Sequence, residues 1–284
     1  MAIFAAFSSP QQTASASVFR RRGTTTTTRP VTTTALPTTT TTRPVTSTTS
    51  TTVKTPVAVS HFSTLPVGSA LPSDATCTAE VRVAAEQRPD NTTANHTVPP
   101  SGGFSLASLG VANGYDSRSP TLEARVTGNF TGTTDEIIQW ASCKWGFDED
   151  VVRAIAVAES NWHQSQLGDY QSTNCPSGYA APCPMSFGIH QIKWSDDPNG
   201  TYPWSQRSTA FNLDESLMVH RLCYEGYISW LHQYPGSTTA YSTGDLWGCV
   251  GQWYSGSWWD SGARSYIASV QSYLTSKPWT QAGF

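Results

Sequence analysis

The sequence contains no CxxC pair, no HExxH and no glycine-rich phosphate loop, which excludes the common zinc sites and P-loop chemistry. No G-x-S-x-G segment precedes a predicted helix, so a serine-hydrolase elbow is excluded as well. No apolar run approaches the roughly 20 residues that a membrane-spanning helix needs. The histidines after residue 160 are not at ligand spacing. We therefore expect no metal, no cofactor and no membrane span.

Acidic residues are missing from the first 60 positions, where six of the 17 basic residues occur. The rest of the chain therefore holds 11 basic and 20 acidic residues and is acidic. A chain of this charge is not expected to bind nucleic acid. The basic N-terminal part could lie against an anionic cell wall or membrane surface, or it could be only a solubilising linker.

Composition divides the chain into three parts. Residues 10–58 are almost entirely Thr, Pro, Ser, Ala and Val, and such a stretch cannot bury enough apolar surface to fold. We predict a disordered Thr/Pro-rich region over 1–71, a loop-rich ordered segment over 72–133, and the main domain over 134–284. We expect this domain to be a monomer.

The six cysteines form an even set in a loop-rich, Trp-rich chain, which predicts disulfides and an oxidising compartment. Fifteen pairings are possible. Proximity favours Cys175 with Cys183 and, more weakly, Cys223 with Cys249. The opening MAIFAAFSSP is a poor signal peptide, but the cysteines and the Thr-rich stretch still predict a secreted or cell-surface protein.

Helical patterns begin at residue 134. Thr134 is the expected cap of a first helix that Gly146 stops, and Asp148 is the expected cap of a second. A Pro/Gly/Asn-rich excursion follows over 163–210. We then predict one helix over 213–234, a turn over 245–256 and a last helix over 263–274.

The stretch AESNWHQS closes the second predicted helix with an acid on its apolar face. The stripe of Val152, Ile155 and Ala156 continues at Glu159, where a core residue would be expected. A carboxyl in an apolar cleft has its pKa raised because burial disfavours the charged form, and the C-terminal end of the helix dipole acts the same way. Such a group can protonate a leaving oxygen near neutral pH. The alternative is a solvated glutamate at a fraying helix end.

Four short segments follow one another in order, beginning with this acid. They are Glu159-Ser160 with Trp162, Ser186-Phe187-Gly188-Ile189-His190-Gln191, Phe211-Asn212-Leu213, and Trp253-Tyr254-Ser255-Gly256. Together they resemble the motifs of the lysozyme-like lytic transglycosylases, the group of glycoside hydrolases that includes soluble lytic transglycosylase and goose-type lysozyme. The resemblance covers about residues 134–279, roughly half of the chain.

The resemblance implies a mainly α (α+β) lysozyme-like domain that cleaves the β-1,4 bond between N-acetylmuramic acid and N-acetylglucosamine in peptidoglycan. In this group one glutamate protonates the leaving oxygen and then takes the proton of the muramyl 6-hydroxyl, giving a 1,6-anhydro product. Glu159 matches the catalytic position, and the residues expected near the sugar are Ser160, Ser186, Gly188, Gln191, Asn212 and Tyr254. We expect Tyr254 to hydrogen-bond Glu159, and Gln191 to bind a hydroxyl or N-acetyl group.

The sequence also departs from the family pattern and leaves alternatives. Ile189-His190 stands where the family has Leu-Met, which we expect to alter the cleft wall, and Ser255 replaces the usual Asn. Ser160 and Asn212 could instead cap helices, Gln191 could be an amide satisfied within a loop, and Tyr254 could be a packing aromatic. Tryptophans in turn-rich segments could stack on sugars or fill the core; they are Trp194, Trp204, Trp258 and Trp259.

The choice between hydrolysis and transglycosylation depends on a second acid. Asp169, Asp196 and Asp197 lie downstream of Glu159, but no spacing argument singles out one of them. The lack of a clear second acid favours transglycosylation. The alternatives are a lysozyme-type hydrolase and a non-catalytic wall-binding or adhesion module.

Overall fold

The structure is a computed structural model that describes residues 61–194 and 200–284. The predicted Thr/Pro-rich stalk up to residue 60 lies outside these residues, as do Asp196 and Asp197. Within them the chain is mainly helical, as predicted. The helices are α1 (Asp74–Glu80), α2 (Thr92–Asn95), α3 (Ser119–Glu123), α4 (Thr134–Trp145), α5 (Glu149–Ser160), α6 (Trp204–Arg207), α7 (Thr209–Tyr224), α8 (Ser229–Gln233), α9 (Leu246–Ser255) and α10 (Ser261–Ser276). Short 3-10 turns occur at Pro89–Asn91, Ala107–Leu109, Val111–Asn113 and Pro278–Thr280.

The ends of α4 and α5 follow from local chemistry. Thr133, one residue before the predicted cap, accepts from the N–H of Glu136, whose carboxylate bonds back to Thr133 in a capping box. Gly146 ends α4 in the left-handed region, as predicted. Asp148 caps α5, also as predicted, through the N–H groups of residues 150 and 151.

Two predictions in the C-terminal half are wrong. The helix predicted over 213–234 ends at Tyr224, and after a turn through Gly226 the short α8 follows. The turn predicted over 245–256 is the helix α9. Its glycines serve close packing rather than turning, because a Cβ on Gly248 would lie 2.2 Å from the Trp258 ring and one on Gly251 would lie 2.8 Å from Ala263.

The predicted excursion over 163–210 contains a small antiparallel sheet ordered β1-β2-β3. The strands are β1 (Leu167–Gly168), β2 (Ser186–Phe187) and β3 (Ile192–Lys193). Gly168 pairs with Ser186, and Phe187 pairs with Ile192. In sequence, the sheet comes immediately after α5, the helix that carries Glu159.

Residues 61–133, here called the N-terminal wrap, belong to the same compact unit as residues 134–284. The Cys77–Cys143 disulfide joins α1 of the wrap to α4. Thr127 and Gly128 donate backbone N–H groups to the buried carboxylate of Asp214 on α7. That carboxylate also pairs with Lys144 at 2.8 Å, so wrap, α4 and α7 share one buried charge network.

All six cysteines are paired. The two predicted disulfides, Cys175–Cys183 and Cys223–Cys249, are confirmed. Three disulfides fit an oxidising compartment. No helix within residues 61–194 and 200–284 is long and apolar enough to cross a membrane.

The core is unusually rich in indoles. Trp140, Trp145, Trp162 and Trp258 are fully buried and belong to the hydrophobic core. Trp258 is therefore a core residue and not the cleft residue considered from the sequence. Trp204 and Trp259 are half-buried and donate their indole N–H groups to protein oxygens. Burial of this much aromatic surface stabilises the unit.

Candidate active site

Glu159 lies in the last turn of α5 and is partly exposed. Protein atoms nevertheless surround its carboxyl group, and this loss of solvation is the main cause that raises its pKa to about 7. The direction of this shift is the one expected for a carboxyl at the end of the apolar stripe. A carboxyl with this pKa is partly protonated near neutral pH and can donate or accept a proton there.

Tyr266 on α10 holds this carboxyl group. It is only 7% exposed, and its hydroxyl donates a hydrogen bond to Glu159 Oε1. Burial and the adjacent Glu159 raise the pKa of Tyr266 well above its ordinary value, so the phenol remains a donor. Bonds from Tyr266 and from the Trp253 side chain partly offset the effect of burial on Glu159, whereas the charge of Asp169 adds to it.

Tyr254 does not make the hydrogen bond to Glu159 that the sequence predicted; Tyr266 makes it instead. Tyr254 is 59% exposed, and its ring stacks on that of Tyr266 with centroids 4.7 Å apart and planes 4° apart. One face of the exposed ring therefore lies on the residue that holds Glu159. This arrangement leaves Tyr254 accessible to a ligand beside the acid.

Asp169 follows β1 and is fixed by the sheet. Ser186 on β2 is buried, and its hydroxyl donates to Asp169 Oδ2 at 2.6 Å. The predicted site residue Ser186 thus positions an acid. Because the charge of Asp169 contributes to the raised pKa of Glu159, the two carboxyl groups act on one another electrostatically.

Asn212 is buried and neither caps α7 nor faces the solvent. Ser208 is the cap, since its hydroxyl accepts from Phe211 N. Asn212 Oδ1 accepts from His190 N at 2.9 Å, and Nδ2 donates to Phe187 O at 2.8 Å. Asn212 therefore fixes the segment between β2 and β3.

Gly188 is required in that segment. Its φ is 83°, and a Cβ would lie 2.3 Å from Asn212 Nδ2 and 2.6 Å from Gln164 Nε2. Gln191, also left-handed at φ 52°, donates through Nε2 to Gly188 O at 2.8 Å. Gly188 and Gln191 thus form one tight turn with Asn212 behind it.

Ser160 bonds backwards to Ala156 O at 3.3 Å, as the capping alternative predicted, and also to Ile189 O at 2.8 Å. It connects the end of α5 to the turn that Gly188 and Gln191 form. Its hydroxyl group bonds these two carbonyl oxygens and not the Glu159 carboxyl. Ser160 is therefore placed to hold the two motifs together.

Ile189 and His190 are fully buried, so they do not form the cleft wall as expected from the family comparison. His190 Nδ1 lies 2.9 Å from Ser216 Oγ, and its ring lies 6.4 Å from that of His220. Burial lowers the pKa of His190 to about 3 and that of His220 to about 4. Both rings are therefore neutral, and His220 contacts the Trp253 ring at 5.0 Å behind the acid.

Sequence reasoning missed Tyr266 and did not single out Asp169. Tyr266 lies on the predicted last helix, on the buried stripe with Ala263, Ile267 and Val270. A tyrosine on an apolar stripe needs a partner for its hydroxyl, and that was the available signal. The partner lies 107 residues away and could not be inferred from spacing.

One cluster of possible metal ligands occurs among the described residues, away from these motifs. Ligand atoms of His61, Glu149 and Asp150 lie within 4.8 Å of one another. Arg153 already bonds Glu149 at 3.0 Å and Asp150 at 2.8 Å, and Lys277 bonds Asp150 at 2.6 Å. The carboxylates are thus neutralised by side-chain cations, which makes this an ion-pair network.

Comparison of the chain with known protein families, with curated proteins and with solved structures gives no match.

Proposed function

We propose that this protein cleaves peptidoglycan glycan strands with Glu159 as the catalytic acid, in a lysozyme-like domain of a secreted or wall-associated protein. One observation carries the proposal: a desolvated carboxyl with a pKa of about 7, on a residue that is partly exposed, held by the buried Tyr266. A lone structural glutamate at a helix end gains nothing from such an environment. A glycosidic oxygen, in contrast, needs a proton donor at neutral pH.

The preferred reaction is transglycosylation. Glu159 gives its proton to the bridging oxygen as the bond from that oxygen to C1 of the muramyl sugar breaks. The carboxylate then takes the proton of the muramyl 6-hydroxyl, whose oxygen bonds to C1. Glu159 is protonated again, and the product is a 1,6-anhydro sugar. Tyr266 stabilises the intervening carboxylate by donating its hydroxyl proton in a hydrogen bond.

The glycan contacts are assigned to groups that remain accessible beside Glu159. Tyr254 presents an exposed ring face on which a pyranose can stack. Gln191 is half-buried, and its Nε2 already donates to Gly188 O and Gln166 O, so its Oε1 is the atom assigned to accept from a sugar hydroxyl or an N-acetyl N–H. Ser160, Gly188 and Asn212 hold the turn that carries Gln191, and Ser186 holds Asp169; these four residues are assigned supporting roles and no contact with the sugar.

The test is the substitution Glu159→Gln, which keeps the shape of the side chain and removes its titration. Wild type should clear a suspension of purified peptidoglycan, and the variant should be slower by at least about a thousandfold, as expected when a general acid and base is lost. Equal clearing by both proteins, or none by either, would contradict the proposal. The second result would favour the non-catalytic wall-binding module.

A second candidate is lysozyme-type hydrolysis, and Asp169 is the observation that favours it. Its carboxylate is held by Ser186 and acts electrostatically on Glu159. Such a second acid could stabilise the positive charge that develops at C1 or activate a water. Asp196 and Asp197 lie outside the described residues.

Mass spectrometry of the released muropeptides separates the two reactions. Anhydro-muramyl ends support transglycosylation, and reducing ends support hydrolysis. If reducing ends form, Asp169→Asn should lower kcat by at least about a hundredfold while Ser186→Ala retains more activity, because only the first removes the charge. Anhydro products from wild type together with a fully active Asp169→Asn variant would exclude the hydrolytic role.

A further inference from the structure

The turn that follows Glu159 has an unfavourable backbone conformation. Asn161 and Trp162 both lie in the left-handed region, with φ of 52° and 68°. A bulky residue rarely adopts such angles, and it does so only where its surroundings fix it. The groups that hold this turn therefore determine where α5 ends and where Glu159 lies.

The N-terminal wrap supplies those groups. Arg88 Nε donates to Asn161 O at 2.8 Å, and Asn91 Nδ2 donates to Trp162 O at 2.7 Å. Asn91 Oδ1 in turn accepts from Gln164 N at 2.8 Å. Three positions of the turn are thus bonded to two side chains from a segment more than 70 residues away.

The same turn is continuous with both motifs of the candidate site. Asn161 N and Trp162 N bond back to Val157 O and Ala156 O in the last turns of α5. Gln164 Oε1 accepts from Ile189 N at 3.0 Å, next to Gly188. A change at Asn91 is therefore transmitted through this turn to the last turn of α5, which carries Glu159, and through Gln164 to Ile189 beside Gly188.

We propose that Asn91, assisted by Arg88, is a positioning residue for Glu159, and that the N-terminal wrap thereby belongs to the active site although it does not touch the substrate. This inference rests on the proposed function for its catalytic meaning. It gives the wrap a specific role beyond covering α4 and α7. We call the bonds from Asn91 and Arg88 to the turn after Glu159 the brace. Displacing a catalytic group by about 1 Å can reduce the rate about a hundredfold, so losing the brace should slow the reaction.

The chain offers a matched control. Asn95 lies in the same wrap, is 1% exposed like Asn91, and also donates to Thr134 Oγ1 at 3.1 Å. Its other recorded bond goes to Glu86 at 2.8 Å and not to the turn after Glu159. Asn91→Ala and Asn95→Ala therefore remove similar buried amides, but only the first releases the turn.

We expect Asn91→Ala to lower kcat on peptidoglycan by at least about tenfold with KM within about twofold, since geometry and not binding is lost. Asn95→Ala should lower the thermal midpoint by a similar amount and keep kcat within about twofold. Equal kcat values in the two variants would overturn the inference. If Asn91→Ala does not fold, Arg88→Met replaces it, because it removes the bond to Asn161 O, leaves the amide of Asn91 in place and should lower kcat in the same direction.

A second measurement does not need activity. In protein labelled with ¹³C at glutamate carboxyl groups, the titration midpoint of Glu159 should fall toward its ordinary value by about half a pH unit or more in Asn91→Ala, because a displaced carboxyl is better solvated. It should not move in Asn95→Ala. An inactive wild type with this shift refutes the proposed function and keeps the brace. An active wild type with neither effect refutes the brace alone.

Discussion

Glu149 and Glu159 stand at opposite ends of α5 and differ in almost every physical respect. Glu149 is 2% exposed in the first turn. Burial alone would raise its pKa, but the bond from Arg82 and the charge of Arg153 hold the pKa below its ordinary value. Glu159, in the last turn, is also desolvated but has no cation among its recorded partners, and its pKa rises to about 7.

The comparison shows that burial does not by itself make a carboxyl a proton donor. The positive end of the helix dipole and two guanidinium groups keep Glu149 ionised, so it serves as a structural anion. At the other end the dipole disfavours charge, and the neighbours are a phenol, an indole and the acid Asp169. The same helix thus separates a structural glutamate from a candidate catalytic one.

The largest expected effect is on the free energy of unfolding, and it comes from the N-terminal end of α5, where Glu149 lies. Arg153→Met removes the cation that bonds Asp135 at 2.6 Å, Glu149 at 3.0 Å and Asp150 at 2.8 Å. Asp135 then loses its cation, while Glu149 keeps Arg82 and Asp150 keeps Lys277. Breaking this largely buried network should lower the free energy of unfolding by about 3 kcal/mol, measured by urea denaturation at pH 7. Arg118→Met, which breaks an exposed pair, should leave the transition unchanged. A loss no larger than that of the Arg118 variant would show that the network does not stabilise the fold.

Glu159→Gln should have the opposite effect on stability. The folded-state pKa of about 7 lies above the ordinary value of 4.5, so the stabilisation from protonated Glu159 is complete below pH 4.5 and is lost as pH rises through 7. The amide does not ionise and avoids this loss. The variant should be more stable than wild type by up to about 3 kcal/mol at pH 8 and equally stable at pH 4. Denaturation curves at the two pH values measure this difference, and equal stability at pH 8 would contradict the raised pKa.

A feature of the fold could be predicted when the residues that form it are close in sequence. The Asp148 cap, the apolar stripe ending at Glu159 and the Cys175–Cys183 loop depend on residues close in sequence, and each was predictable. The helix α9 was not predictable, because a glycine such as Gly248 favours a turn in the sequence. Only the structure shows that Gly248 makes room for the Trp258 ring. A glycine in a sequence does not distinguish a turn from a close approach.

The site divides in the same way. The motif residues Gly188 and Asn212 were singled out, but the tight turn of the first and the backbone bonds of the second were not predicted. Tyr266 and Asn91 are brought to α5 only by tertiary packing, and neither belongs to a motif. Sequence patterns identify the acid, whereas the groups that tune and place it depend on the fold.

Tyr266→Phe should have a smaller effect, on the pKa of Glu159 and on the pH profile of activity. The lost hydrogen bond lowered the pKa of Glu159 by stabilising its charged form, so the pKa should rise, by up to about one pH unit. The alkaline limb of the activity profile should move to higher pH while kcat falls, because the carboxyl is also less well held. A limb that moves to lower pH would contradict the assignment of Tyr266 as the donor.

The smallest change in the pKa of Glu159 should come from Asp169→Asn, and its sign is opposite to that of Tyr266→Phe. The charge of Asp169 raises the pKa of Glu159, so the neutral amide should lower it, by a few tenths of a pH unit at about 0.15 M salt. This shift should shrink in 1 M salt, because the two carboxyl groups interact through space, whereas the shift in Tyr266→Phe should persist. Ser186→Ala is the control, since it removes the 2.6 Å bond to Asp169 and keeps the charge. An Asp169→Asn shift that does not respond to salt would indicate that Asp169 acts through the sheet rather than through its charge.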